Sequence, residues 1–308
     1  MTVSITGASG FIGSYLVRAL ADVPDIRLLC LTRALHGSDR QSPREVNWIS
    51  GGIEDDGSLH RLLSPGGTLV HLAYPAGWSH GRHLAAAEQL ARTAAQVGTT
   101  RVVLCSTAVV AGCATENPIT EETRCRPTTD YERTKLQIEQ TFAAVAKDTF
   151  ELAVLRPTAV VGPGSRNLQK LAADLSGANW ILNYLRSSLY GRRRLNLVCV
   201  ENVVAALEFL IRRRQTRHTE LYIVSDDDDP SNNFRDVEEQ LMSNLGVSSY
   251  PLPRIPIPPE LLRALLRARR RSCVDPMRTF SGDELRRAGC QKVTTLEAGI
   301  ERFCHAGQ

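Results

Sequence analysis

Tyr131 and Lys135 stand four residues apart, a spacing that puts both side chains on one face if the segment is helical. A phenol titrates near pH ~10 and alone is a poor proton-transfer group at neutrality. A neighbouring ammonium favours the phenolate and brings Tyr131 towards the working range. Such a pair is commonplace on amphipathic helices, so its weight comes from its company. Upstream, the apolar run Arg101–Cys105 reads as a buried strand that delivers Ser106-Thr107 at its carboxyl end. A hydroxyl placed there can polarise a carbonyl or carbinol oxygen.

A second group of residues supplies a partner for that chemistry. Thr6-Gly7-Ala8-Ser9-Gly10-Phe11-Ile12-Gly13 follows the apolar Val3-Ser4-Ile5 and opens a segment of helical periodicity. In that context the glycine spacing predicts a dinucleotide site. Gly7 permits the tight turn, Gly10 lets backbone approach the pyrophosphate, and Gly13 allows close helix–strand packing. With Phe11 and Ile12, the loop presents the N–H groups of a helix start to the phosphates. The second strand ends Leu31-Thr32-Arg33 without the carboxylate that usually holds the ribose 2′-hydroxyl of NAD. A guanidinium suits a 2′-phosphate, so Arg33 favours NADP over NAD. A solvated strand-end arginine is the plainer alternative.

The elements that must position these residues alternate. Strands are predicted at Val3–Thr6, Arg27–Leu31, Val46–Ile49, Thr68–Leu72, Arg101–Cys105 and Leu152–Leu155. Helices are predicted at Phe11–Ala21, His83–Val97 and Tyr131–Ala146. This βαβ order predicts an α/β fold, a Rossmann-type doubly wound parallel sheet, with ligands at the carboxyl edge of its strands. After Gly162-Pro163-Gly164 the pattern becomes irregular, which predicts a smaller C-terminal substrate-binding domain over residues 163–308. The dinucleotide-binding domain would then cover 1–162, with Leu195–Val200, Val203–Arg213 and Leu221–Val224 returning to it. Asp226–Asp229 reads as a solvated loop. Arg263, Arg267 and Arg270 share one face of a predicted helix Glu260–Arg271, with Leu261, Leu262, Leu265 and Leu266 on another. Such a helix packs on its own domain, with a membrane surface as the alternative partner.

Composition excludes several classes. A formal charge of +4 over 308 residues gives no sign of a nucleic-acid partner. With 43% hydrophobic residues the chain can bury a sizeable core. The eight cysteines show no metal-type spacing, so no metal is expected, and Cys30, Cys105 and Cys199 read as buried small hydrophobes. Their scatter fits a reducing, cytoplasmic compartment. No signal peptide is expected ahead of the first strand, and no apolar run approaches the ~18 residues of a membrane span.

Taken in order, these motifs resemble the extended short-chain dehydrogenase/reductases, the NAD-dependent epimerase/dehydratase family. The resemblance runs through the loop Thr6–Gly13, Val70-His71-Leu72-Ala73, Ser106-Thr107 with Gly112, and Tyr131-x-x-x-Lys135. It continues with Leu155-Arg156-Pro157, Gly162-Pro163-Gly164 and the closing Leu296-Glu297-Ala298-Gly299-Ile300. It implies that Thr107, five residues before Gly112, is the catalytic hydroxyl beside Tyr131 and Lys135. It also implies that Leu72, Ala73, Tyr74, Pro157 and Val160 line the cofactor and that Ile53 sits by the adenine. Lys135 would hydrogen-bond the nicotinamide ribose. The substrate class it implies is a nucleotide-diphosphate sugar held between two domains, and the assembly a homodimer.

Departures from the family pattern narrow the reaction. Family dehydratases resemble Thr-Asp-Glu at the catalytic hydroxyl, whereas Thr107 is followed by Ala108-Val109, which disfavours 4,6-dehydration. Many epimerases carry asparagine where this chain has Ala159, the usual acid after Gly51 is Gly52, and the usual late-strand histidine is Cys199. Asn202 and the arginines before it are more similar to the branch that reduces 4-keto nucleotide sugars. The leading expectation is therefore reduction of a keto-sugar carbonyl, Tyr131 giving the proton and Thr107 holding the oxygen. Arg166 and Arg194 are the candidate diphosphate partners. The alternatives are a nucleotide-sugar 4-epimerase that retains NAD, and a non-catalytic NAD(P)-binding sensor, which would need no proton donor.

Overall fold

The computed structural model describes residues 1–33, 46–177, 179–213, 219–255, 257–258, 260, 262–264 and 275–306. The expected basic helix at 260–271 lies largely outside the described residues. In chain order the elements are β1 (Thr2–Thr6), α1 (Phe11–Ala21), β2 (Arg27–Thr32), β3 (Val46–Ser50), α2 (Asp56–Leu62), β4 (Thr68–His71), α3 (His80–Val97) and β5 (Arg101–Cys105). They continue with α4 (Asp130–Ala146), β6 (Glu151–Pro157), β7 (Ala159–Val161), α5 (Gln169–Ser176), α6 (Trp180–Tyr190), β8 (Leu197–Cys199), α7 (Val200–Arg212) and β9 (Thr219–Val224). Helices α8 (Phe234–Asn244), α9 (Asp283–Arg287) and α10 (Leu296–His305) complete the series.

Seven strands form one sheet in the order β3-β2-β1-β4-β5-β6-β9. The registers joining β1 through β6 are all parallel. Strands β1, β4, β5 and β6 are buried almost end to end, as expected of a sheet covered on both faces. The strand order reverses between β1 and β4, the switch point at which such sheets bind ligands. Leu59, Leu62, Leu90, Phe142 and Leu152, none more than 2% exposed, belong to one continuous core cluster with α2, α3 and α4 over this sheet.

Local chemistry sets the helix starts. The Ser79 hydroxyl accepts from Arg82 N and begins α3 three residues earlier than expected. A capping box begins α4: the Thr129 hydroxyl accepts from Glu132 N and the Glu132 carboxylate from Thr129 N, each at 3.2 Å. That box puts Tyr131 in the first turn and Lys135 one turn on. The helix is anchored to β6 by Arg156, which donates two bonds to Glu139 at 3.0 and 2.6 Å with both side chains 8% exposed.

The chain divides into two compact units, and the division differs from the one expected at residue 162. The first comprises Met1–Val110, Thr129–Arg156 and Val204–Tyr222, and the second Ala111–Thr128, Pro157–Val203 and Ile223–Gln308. Ala111–Thr128 joins the second unit because it pairs there. Gly112 bridges Arg126, Ile119 bridges Phe280, and Arg278 donates to the carbonyls of Gly112 and Ala114. The expected return of Leu195–Val200 to the main sheet is also corrected. Its ordered part, β8, pairs with β7 in a separate two-stranded sheet. β9 does close an edge of the seven-stranded sheet. In the second unit α8 packs on α5, α6 and α10 around Val237, Leu241, Leu296 and Ile300.

The run Asp226–Asp229 is solvated only in part: Asp228 is exposed, but Asp226 and Asp227 are buried. Asp226 is 2% exposed and accepts from Cys199 N, from Asn202 Nδ2 and from Lys292 Nζ. Asp227 is 6% exposed and accepts from Asn196 Nδ2, Asn232 Nδ2 and Phe280 N at 2.7–3.0 Å. Those donors come from distant positions, so the charge run gave no sign of them. Cys30, Cys105 and Cys199 are buried, while Cys113 is disulfide-bonded.

Candidate active site

The first unit carries a cleft of about 510 Å3 along the carboxyl ends of β1, β2, β4 and β5. Gly7, Gly10, Phe11, Ile12 and Gly13 line it at β1, and Arg33 and Ile53 at β2 and after β3. Leu72, Ala73 and Tyr74 line it beyond β4, and Tyr131 and Lys135 from α4. The structure thus brings together every expected residue of this unit, with Thr107 one position beyond the lining Ser106. Pro157 and Val160, expected here by resemblance, belong to the second unit and are not among the lining residues. Ser9, Thr32, Pro75 and Trp78 also line the cleft and were not anticipated. They follow the same strand ends, which is the signal that could have found them.

The glycine loop fits a dinucleotide. Gly7 has φ +74°, and a Cβ on it would lie 2.7 Å from Ala73 N. A Cβ on Gly13 would lie 2.1 Å from Gly7 O. The loop therefore nests against the end of β4 as only glycine allows. Gly10 caps α1 without a side-chain acceptor, and the first-turn residues Phe11, Ile12 and Gly13 line the cleft. Partial positive charge at that helix end suits a pyrophosphate. Under the loop, Thr6 Oγ1 and His71 Nδ1 lie 2.6 Å apart and tie β1 to β4. Burial drives the His71 pKa down to about 3, with Lys135 and His83 adding to the effect, so the ring is neutral near pH 7.

At the far end, the Thr107 side chain favours the ionised Tyr131 hydroxyl, against the effect of burial. Lys135, 8% exposed, donates from Nζ to Cys105 O at 3.2 Å, and its ammonium lies 4.7 Å from the centre of the Tyr74 ring. Burial pulls the Lys135 pKa down, while Cys105 and Glu139 pull it up. Tyr131 departs from the expectation of a lowered pKa. Burial pushes it up, Thr107 opposes that only in part, and Cys105 and Tyr74 push it further up, so the phenol form is favoured. The Ser106 hydroxyl is buried against the cleft with no hydrogen-bond partner, leaving it able to bind a group in the cleft.

In the second unit Arg166 is exposed on the turn after β7. Arg194 donates from Nη1 to Asp229 O at 3.0 Å, so part of its fork is already engaged. Neither is among the residues that line the cleft of the first unit. Arg192, Arg193 and Arg235 line a separate cavity of about 180 Å3 with Tyr190, Ile257 and Met277, and none of the three makes an ion pair among the described residues. Among the described residues no cluster of His, Cys, Asp and Glu could hold a metal ion, and no helix is long and apolar enough to cross a membrane.

Comparison with known proteins matches residues 3–225 to the NAD dependent epimerase/dehydratase family. The uncharacterized protein y4nG of Sinorhizobium fredii (strain NBRC 101917 / NGR234) is 25% identical over 181 residues, which cover 56% of this chain and 44% of that protein. The match thus spans less than half the length of that relative. UDP-glucose 4-epimerase of Thermotoga maritima, solved with UDP-glucose, superposes with TM-score 0.72 at 18% identity, over 100% of this chain and 98% of that one. The dTDP-glucose 4,6-dehydratase of Bacillus anthracis in complex with NAD gives TM-score 0.74 at 17% identity, over 100% and 96%. UDP-glucuronic acid 4-epimerase of Bacillus cereus in complex with NAD gives 0.73 at 16%, over 99% and 98%. At these identities the likeness is one of fold.

Proposed function

Because the chain belongs to the NAD-dependent epimerase/dehydratase family, we propose that it is an NAD(P)-dependent oxidoreductase that reduces a keto group of a nucleotide-diphosphate sugar. The observation that carries this reading is that Tyr131 and Lys135 line the same cleft as the glycine loop, with Thr107 next to the lining Ser106. A bound nicotinamide would supply the hydride. Thr107 would hold the substrate oxygen and Tyr131 would protonate it. The upward push on the Tyr131 pKa suits that direction, since a phenol protonated near pH 7 is a donor. Lys135 would orient the nicotinamide ribose, and Ile53 would meet the adenine.

Arg33 at the rim of the cleft supports NADP over NAD, because its fork can take a 2′-phosphate bidentately. For the substrate, Arg166 and Arg194 remain candidate diphosphate partners. Arg192, Arg193 and Arg235, which make no ion pair among the described residues, add with Tyr190 an arginine-and-aromatic cavity of the same chemical preference. The UDP-glucose and NAD bound by the structural relatives support the same classes of substrate and cofactor.

The test is net oxidation of NADPH or NADH by the purified protein against a panel of nucleotide-diphosphate keto-sugars. NADPH loss with one of them is expected, and Tyr131→Phe should lower turnover ~10²–10⁴-fold while still binding NADPH. Full turnover by Tyr131→Phe would overturn the assignment. The 4-epimerase reading is favoured by the two epimerase relatives, and its mark would be NAD retained through purification with no net consumption.

A further inference from the structure

Tyr74 makes contacts that cofactor lining alone does not require. Its ring stacks on His83, with centroids 4.0 Å apart and planes within 9°. It meets the Tyr131 ring edge to face at 5.2 Å and 89°. The Lys135 ammonium lies over the same ring at 4.7 Å. His83 is 5% exposed, so the stack rests on a fixed base. One side chain therefore touches both members of the proton-transfer pair and is itself held at its face.

We propose that Tyr74 is the positioning residue of the Tyr131–Lys135 pair, its ring face holding the Lys135 ammonium in the cleft and its edge-to-face contact fixing the Tyr131 ring. The role of the pair rests on the oxidoreductase reading; the contact does not. Two physical arguments support it. Lys135 is buried, which favours the neutral amine, and its one hydrogen bond goes to a carbonyl. Its only described carboxylate influence, Glu139, is already bonded to Arg156. The negative face of an aromatic ring is then a principal source of attraction left for the ammonium. Other groups around Lys135 do not replace it. Cys105 from β5 is a buried thiol, and His71 from β4 and His83 from α3 disfavour a neighbouring charge when protonated.

The experiment uses the scarcity of lysine in this chain: Lys135, Lys147, Lys170 and Lys292 are the full set. With 13Cε-labelled lysine, the protein gives four titrating signals, and Lys135→Arg assigns one. Tyr74→Phe keeps the ring and should leave the Lys135 midpoint near that of the parent. Tyr74→trifluorophenylalanine keeps the shape but drains the ring face, and should lower the midpoint by roughly half to one pH unit. Difluorophenylalanine should fall between. A midpoint that does not follow fluorination, in proteins that melt like Tyr74→Phe, would sink the proposal. Because the fluorinated variants preserve volume, unfolding does not confuse the result, and Tyr74→Leu provides a further lowering to compare. A parent protein that shows this titration but oxidises no NADPH would count against the oxidoreductase reading and not against the contact.

Discussion

In the proposed function, cofactor choice turns on Arg33. It stands at the rim of the cleft where a carboxylate would select NAD, and it is exposed, so its guanidinium is free to reorient. Charge-assisted bonds to a phosphate contribute ~1.5–3 kcal/mol. Arg33→Ala should therefore weaken NADPH about 10–100-fold and leave NADH nearly unchanged, as read by calorimetric titration of both. Equal loss for the two cofactors would remove the 2′-phosphate role. At this scale the sequence was a good guide where chemistry is local: the glycines, Arg33, Tyr131 and Lys135 all reach one cleft. It missed Trp78 and the Tyr74–His83 stack, because those contacts depend on how α3 lies against β4. It also misjudged the direction of the Tyr131 pKa, since burial is a property of neighbours that spacing does not record.

Helix α4 holds the catalytic candidates, and one buried ion pair holds α4 to β6. Removing one partner leaves an uncompensated buried charge, so Arg156→Met should cost ~3–5 kcal/mol in denaturant unfolding. Adding Glu139→Met should recover most of that loss, whereas simple additivity would show that the pair does not act as a unit. Element β9 leads into a second electrostatic device. Burial raises the Asp227 pKa from 3.8 to about 6, against the opposing bonds from Asn196, Phe280 N and Ser225. The fold thus favours the protonated form. Its contribution is complete below pH 3.8 and is lost as the pH rises through about 6, a change of roughly 3 kcal/mol. The melting temperature of the parent relative to Asp227→Asn should fall between about pH 4 and 7. A difference that rises instead would mean that the donors outweigh burial. The long apolar strands were legible because two covered faces demand continuous runs. β7, three residues long, carries no such signal; β8 lies within the expected strand Leu195–Val200 but pairs with β7, and Asp226 and Asp227 looked solvated because their donors lie elsewhere in the chain.

The whole molecule is two units through which the chain passes repeatedly, crossing at 110, 128, 156, 203 and 222. A cut at residue 162, where composition changes, would leave the first unit without Val204–Tyr222. Residues 1–162 expressed alone should therefore show no cooperative thermal transition by near-ultraviolet circular dichroism. A sharp transition in that fragment would mean that β9 and the end of α7 are dispensable. The fold class was legible from the alternation of elements, but this weaving was not, because a return of the chain to an earlier sheet leaves little trace in local periodicity.

The position of β9 has a consequence for synthesis. The ribosome releases β6 well before Thr219–Val224, so the nascent sheet waits with an open edge of unpaired N–H and C=O groups. Elongation at ~5–20 residues per second makes that interval a few seconds long. During it the growing chain offers a strand-pairing template to its neighbours on the polysome, and a factor that shields extended segments would find its substrate in that interval.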